Sequence, residues 1–202
     1  MEPNQKQFLR KQMKHLFEQS ATSEERARIS DIISYNIMEQ SFFCTALCIM
    51  VYCPLSDEVD IMPVIKKIIA DGKKLIVPKT DVENHTIIPC LVVNPEKDLS
   101  SGYSGILEPK AVRPVSYGQI DVILVPGRVF DRSGCRIGRG VGCYDRFLRN
   151  IPGALKVGVA FDFQLVDRIE PAEHDICMDM LITEKTILKN ENFEKTTIHK
   201  KN

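Results

Sequence analysis

The stretch Ile120-Asp-Val-Ile-Leu-Val-Pro-Gly-Arg-Val-Phe-Asp-Arg-Ser-Gly-Cys-Arg-Ile-Gly-Arg-Gly-Val-Gly-Cys-Tyr-Asp-Arg-Phe-Leu-Arg149 decides how this chain is read. Its first six residues form a short apolar, β-branched run that ends at Pro126, the pattern of a buried strand. Tyr144 to Arg149 has helical character, so the predicted order is strand, glycine loop, helix. Gly134, Gly138, Gly140 and Gly142 let the backbone approach a ligand closely and adopt φ > 0. Arg136 and Arg139 add fixed positive charge and forked donors suited to phosphate or carboxylate. Free N–H groups opening into a helix N-terminus complete an anion site. The plainer alternative is a glycine-rich turn with two solvated arginines.

Outward from this stretch, strands alternate with helices. Gln5 to Glu18 carries Phe8, Leu9, Met13, Leu16 and Phe17 on one face of a predicted helix. Lys6 and Arg10, four apart, project from the same side of it, and spacing alone reads them as part of a solvated basic face. Thr22-Ser-Glu-Glu25 is a capping box opening a second helix to about Glu39. Thr45 to Tyr52 reads as a central strand, with Cys53 to Glu58 at its carboxyl end, where open α/β sheets bind ligands. A helix over 60–71 follows, with Pro63 in its first turn and Gly72 as its stop. Further strands are expected at 75–78, 86–93, 156–160 and 181–183, with a short helix at 163–168. Asn94 to Ser116, rich in Pro, Gly and Ser, reads as an irregular cover over one end of the sheet. The pattern gives an α/β fold with a mostly parallel sheet covered on both faces. A single domain over 1–188 with a polar, fraying tail over 189–202 is the expected organisation.

Composition removes several functions. With 202 residues, 27 basic and 27 acidic side chains and a pI near 6.9, the chain has no global field favouring nucleic acid, so any anion preference is local. A start without an apolar h-region and the absence of a long apolar run predict a cytoplasmic protein with no membrane partner. The cysteines are seven, an odd number without a CxxC pair, and most sit in apolar runs, as reduced intracellular thiols do. His15, His85, His174 and His199 are scattered and read as surface or packing residues. The loop is not a P-loop, since no Gly-Lys-Ser/Thr follows the glycines, and its last glycine spacing is not that of a Rossmann fingerprint. Asp145 after the loop and Asp179 before the last strand are placed for a hard cation such as Mg²⁺, with helix capping the alternative for Asp145.

These residues carry a resemblance. The run from Pro126 through Phe147-Leu148 is similar to the signature of the 5-formyltetrahydrofolate cyclo-ligase (5,10-methenyltetrahydrofolate synthetase) family. Lys6-x-x-Leu-Arg10, Asp57-Glu58-Val, Gly105-Ile-Leu-Glu-Pro109 and Glu173-His-Asp-x-x-x-Asp179 with Ile182-Thr183 agree in order along nearly the whole chain. The resemblance implies a three-layer α/β/α fold like that of ribose-5-phosphate isomerase and CoA transferases. It also implies that ATP and Mg²⁺ close 5-formyltetrahydrofolate to 5,10-methenyltetrahydrofolate, releasing ADP and phosphate.

Carried over, Lys6, Gln7, Phe8, Leu9 and Arg10 match ATP contacts, as do Arg136, Ile137, Gly138, Arg139, Gly140, Val141, Gly142, Cys143 and Tyr144. Lys6 and Arg139 would be catalytic, with Arg139 against the transferring phosphoryl. Cys53, Glu58 and the loop from Arg139 to Cys143 would border the folate, and Asp145 and Asp179 would serve Mg²⁺. Cys143 stands where an aromatic residue is common in the family, and Val141 and Cys53 also depart from it; no required ionic group is missing. The partners implied are the two small-molecule substrates, and a monomer is the expected state. A non-catalytic paralogue that sequesters 5-formyltetrahydrofolate, and a sugar-phosphate isomerase of similar fold, are the competing readings.

Overall fold

The computed structural model describes residues 3–102 and 105–190. The chain begins with α1 (Pro3–Ser20), α2 (Ser23–Met38), α3 (Ser41–Thr45), β1 (Cys48–Met50), α4 (Met62–Ala70), β2 (Lys74–Asp81) and β3 (Thr86–Val92). It continues with α5 (Pro95–Asp98), β4 (Leu99–Ser101), β5 (Leu107–Pro109), β6 (Val122–Pro126), β7 (Val129–Asp131) and β8 (Arg136–Ile137). The last elements are α6 (Cys143–Arg149), β9 (Leu155–Val159), β10 (Leu165–Val166), β11 (Met180–Ile182) and β12 (Ile187–Lys189). A seven-stranded sheet in the order β12-β11-β9-β6-β1-β2-β3 runs through the middle. Its five inner strands are parallel, and β3 and β12 pair antiparallel at the two edges.

The strand alternation builds the three layers. Ile49, Leu75, Val77, Val122, Leu124, Val157 and Ile182 face one side, where Ile33 and Ile37 of α2 and Val64, Ile65 and Ile68 of α4 cover them. Met50, Ile76, Ile123, Val125 and Leu181 face the other side and meet Phe147 and Leu148 of α6. Helix α1 closes a third cluster, with Met13 beside Val129, Ile137 and Ile169, while the Phe17 ring lies 6.0 Å from that of Phe161. The capping box opens α2 as its sequence implies: Thr22 Oγ1 accepts from Glu25 N at 3.2 Å and Glu25 Oε2 accepts from Thr22 N at 2.8 Å.

Several elements differ from the sequence expectations. Thr45 ends α3, so β1 starts at Cys48. The polar link 81–85 makes a hairpin, with His85 at φ 49, so β3 returns antiparallel. Asn94 to Ser116 is not irregular: it holds α5 and the β4–β5 hairpin, and Thr80 on β2 anchors it by donating to Glu108. The expected helix at 163–168 is a 3₁₀ turn followed by β10, which pairs with β7. Lys189 belongs to the edge strand β12, and the expected fraying tail beyond Asn190, with His199, lies outside the described residues.

Candidate active site

The carboxyl ends of β1, β2 and β6 open into a cavity of about 800 Å³, lined there by Tyr52, Cys53, Pro78, Thr80, Pro126 and Gly127. Parallel sheets bind ligands at this edge because the loops leaving the strands diverge and leave a crevice. The cavity also takes in Lys6, Arg10, Glu58, Glu108, Asp145, Asp175 and the run from Arg136 to Arg146.

The glycine stretch is two structures rather than one loop. Its first half is the β7–β8 hairpin, whose turn is organised by Asp131: Oδ1 accepts from Ser133 N, Ser133 Oγ and Cys135 N at 2.8–2.9 Å, and Oδ2 from Ile169 N at 2.7 Å. Gly134 therefore serves this turn and not the anion loop. Its φ is +86, and a Cβ there would stand 2.5 Å from the Met178 carbonyl oxygen. The anion loop proper is 138–142, with Gly140 at φ 120 and Gly142 at φ 74 capping the start of α6. Arg10 holds one end, its Nε donating to Gly138 O at 2.8 Å, and Arg146 holds the other, bonding Val141 O and, at 2.7 Å, His85 O.

Arg136 is a buried cation of the site, 6% exposed. Its Nη2 donates to Asp145 Oδ1 at 3.1 Å and its guanidinium lies 5.5 Å from the centroid of the Tyr144 ring. Its Nε is buried without a hydrogen-bond partner, an uncommon condition that asks for an explanation. Burial pulls its pKa below the usual arginine value, against the neighbouring Asp145 carboxylate. Lys6 bonds Asp175 at 2.5 Å, and Ile176 N donates to Asp145 Oδ1 at 3.3 Å, so the two carboxylates are tied side by side. Burial raises the Asp175 pKa, but the Lys6 ammonium and the Ala172 N–H outweigh it and hold the carboxyl below its ordinary range.

On the rim, Arg139 bonds Asp57 at 2.5 Å and Glu58 at 3.0 Å, while Leu55 N donates to the other Glu58 oxygen at 3.1 Å. Burial lowers the Arg139 pKa, and its two carboxylate partners reverse that and raise it.

The structure brings together Lys6, Arg10, Cys53, Glu58, Asp145 and the run from Arg136 to Tyr144, including Ile137, Gly138, Gly140, Val141, Gly142 and Cys143, as the sequence led us to expect. It does not bring all the named residues there. Gln7, Phe8 and Leu9 do not line the cavity, because one helix face cannot present five consecutive side chains; Phe8 is 67% exposed and Leu9 packs with Met13 and Ile169. Asp179 is corrected. It precedes β11, at the opposite end of the sheet, where it accepts from Lys156 N at 2.8 Å and pairs with Lys156 Nζ at 3.6 Å. The acid of the Glu173-to-Asp179 motif that does line the cavity is Asp175.

The thiol expectation holds for Cys44, Cys48, Cys53, Cys90 and Cys143, which are free, and is corrected for one pair. Cys135 and Cys177, 42 residues apart, form a disulfide with Cα atoms 4.3 Å apart, next to the bond from Met178 N to Gly134 O. Closing a loop of that length stabilises a chain by about 4 kcal/mol on the chain-entropy estimate. Reduction should therefore lower the unfolding free energy by up to about 4 kcal/mol in urea titrations; coincident curves with and without reductant would show that the pair is not cross-linked. Cys53 remains a free thiol, which burial, with a contribution from Glu108, pushes up to about 12, so it lines the cavity as a neutral group.

No cluster of three or more His, Cys, Asp or Glu suited to a metal occurs among the described residues, so no all-protein cage exists there. Asp145 and Asp175 offer hard carboxylate oxygens beside the anion loop, which fits Mg²⁺ held by two carboxylates together with phosphate oxygens.

A three-layer α/β/α sheet with a cation-lined cavity at its carboxyl edge defines an enzyme of the ligase class once its relatives are considered. The profile of the 5-formyltetrahydrofolate cyclo-ligase family matches residues 2–184, and the chain belongs to that family. The 5-formyltetrahydrofolate cyclo-ligase of Mus musculus is 28% identical over 190 residues, covering 89% of this chain and 93% of the relative. That of Escherichia coli K12 is 29% identical, covering 80% and 91%. The structure of 5,10-methenyltetrahydrofolate synthetase from Aquifex aeolicus superposes with a TM-score of 0.81 at 36% identity, covering 92% and 93% of the two chains. The synthetase of Mycoplasma pneumoniae, at 21% identity and a TM-score of 0.71, has the same fold. No helix among the described residues is long and apolar enough to cross a membrane.

Proposed function

We propose that this chain uses ATP and Mg²⁺ to convert 5-formyltetrahydrofolate into 5,10-methenyltetrahydrofolate, releasing ADP and phosphate through a phosphorylated formyl intermediate. The observation that carries this reading is the buried Arg136, whose Nε lacks a partner beside a loop of glycines already pinned by Arg10. A buried guanidinium with an unused donor at that place suits a polyphosphate better than a sugar monophosphate held for proton abstraction.

The formyl oxygen is a poor leaving group. Transfer of the γ-phosphoryl to it creates a good one; nitrogen 10 then attacks the formyl carbon, and phosphate departs. Lys6, Arg10, Arg136 and the N–H groups of 138–142 hold and neutralise the phosphates, so that the protein contributes position and charge. Mg²⁺, when bound, adds charge at the phosphate oxygens beside Asp145 and Asp175. Arg139 is the movable member: released from Asp57 and Glu58, it reaches the transferring group and frees Glu58 toward the folate. Cys53 and Cys143 border the folate, with Val141 at the mouth.

ADP release should depend on both 5-formyltetrahydrofolate and a divalent cation, and excess chelator should suppress it at least about a hundredfold, the scale of several kcal/mol of charge stabilisation. Folate binding without ADP release would favour a sequestering paralogue, and chelator-insensitive release would remove Mg²⁺ from the account.

A further inference from the structure

Glu108 has no part in the reading above, yet it is the second carboxylate on the β2 side of the cavity. It sits on β5, is 6% exposed, and lines the cavity with Cys53, Thr80 and Ile106. A buried carboxylate needs donors on both oxygens. Oε1 has two, Thr80 N at 3.1 Å and Thr80 Oγ1 at 2.5 Å. Oε2 has no hydrogen bond among the described residues. Lys79 Nζ stands 4.0 Å from it and spends a proton on Pro109 O at 3.1 Å. The chain makes room for this oxygen: a Cβ on Gly102 would come within 2.5 Å of Oε2. Glu58, by contrast, is engaged on both oxygens by Arg139 and Leu55 N. The same cavity is lined by the apolar side chains of Leu55, Pro78, Ile87 and Ile106 and by the Tyr52 ring.

An acceptor oxygen in an apolar wall selects a planar heterocycle that presents N–H donors on one edge. We propose that Glu108 is a substrate-recognition residue, whose Oε2 accepts hydrogen bonds from the amino and ring N–H groups of the folate's bicyclic ring. Adenine offers similar donors. The folate is favoured because Glu108 lies on β5, bonded to Thr80 of β2 and close enough to Cys53 to act on its thiol, whereas the phosphate-holding cations lie on or just after β8 or come from α1. The inference rests on the proposed function for the identity of the folate.

The test is equilibrium binding of 5-formyltetrahydrofolate alone and of ATP alone, without turnover. Glu108→Ala should weaken the folate by about tenfold or more, the scale of one hydrogen bond to a charged group, and leave ATP within twofold. Glu108→Gln keeps the volume and one acceptor oxygen, so it should recover most of the affinity, remaining about threefold weaker than the unaltered protein. A purely structural role would lower the melting temperature without separating the two ligands. The proposal is overturned if folded Glu108→Ala binds the folate within twofold of the unaltered protein, or if ATP weakens equally. If the alanine variant does not fold, unchanged folate affinity in Glu108→Gln overturns it. Failure of the unaltered protein to bind the folate would overturn the functional reading along with it, whereas normal turnover with an unaffected variant would overturn this inference only.

Discussion

Arg136→Ala is expected to lower kcat/KM for ATP by at least about a hundredfold, the usual cost of removing one preorganised donor to a developing negative charge. The effect has two sources that can be separated. Removing the guanidinium takes away the buried donor facing the loop, and it leaves Asp145, its partner at 3.1 Å, without its cation. Breaking a buried pair from one side costs about 3–5 kcal/mol of stability. Arg136→Lys keeps a charge near Asp145 but lacks the fork, so it should recover stability more fully than turnover. Steady-state kinetics alongside thermal unfolding decides the matter. A kcat/KM within threefold of the unaltered protein, in a folded Arg136→Ala variant, would show that the backbone N–H groups of 138–142 suffice.

Gly134→Ala is the second large effect, and it acts on stability. The position needs φ +86, and its new Cβ would stand 2.5 Å from a backbone carbonyl oxygen, Met178 O, which cannot rotate away. Left-handed strain alone costs about 1–3 kcal/mol in a non-glycine residue, and displacing residue 178 adds the loss of the hairpin contact. A loss of at least about 3 kcal/mol in urea unfolding is expected. Gly153→Ala, where nothing lies within 4 Å of the added atom, should stay within about 0.5 kcal/mol. Equal effects at the two positions would contradict the packing described for the hairpin. Because Asp175 lies three residues before Met178, a displaced segment should also loosen the bond from Lys6 and weaken ATP.

The parts of the fold written in local chemistry were legible. The capping box at Thr22 and Glu25, the stop at Gly72 and the apolar runs 48–51 and 122–125 each specify their element from neighbouring residues alone. What was not legible depends on contacts distant in sequence. The β4–β5 hairpin is short and polar, and its place is set by Glu108 reaching Thr80 28 residues away. The division of the glycine stretch into a hairpin and a loop depends on Asp131 gathering Ser133, Cys135 and Ile169. The pairing of Cys135 with Cys177 follows from that same docking.

The site shows the same divide. Lys6 and Arg10 share a helix face, so their common destination could be inferred from a spacing of four, but Gln7, Phe8 and Leu9 are carried past it by the same geometry. Of the two aspartates in the motif near the end, sequence position favoured Asp179 beside a strand. The direction of that strand decides otherwise: a residue entering β11 lies at the sheet's amino end, away from the cavity, and Asp175 remains within reach of Lys6. Glu108 lies in the Gly105-Ile-Leu-Glu-Pro109 motif, but its burial depends on Thr80, 28 residues away, and is not written in that motif.

The central claim is most directly tested by following the near-ultraviolet absorbance of 5,10-methenyltetrahydrofolate after mixing the purified protein with 5-formyltetrahydrofolate, ATP and Mg²⁺. The account predicts a steady rise that stops when ATP is omitted and that is matched by ADP formed in equal amount. A flat trace from folded protein that binds both ligands would contradict it.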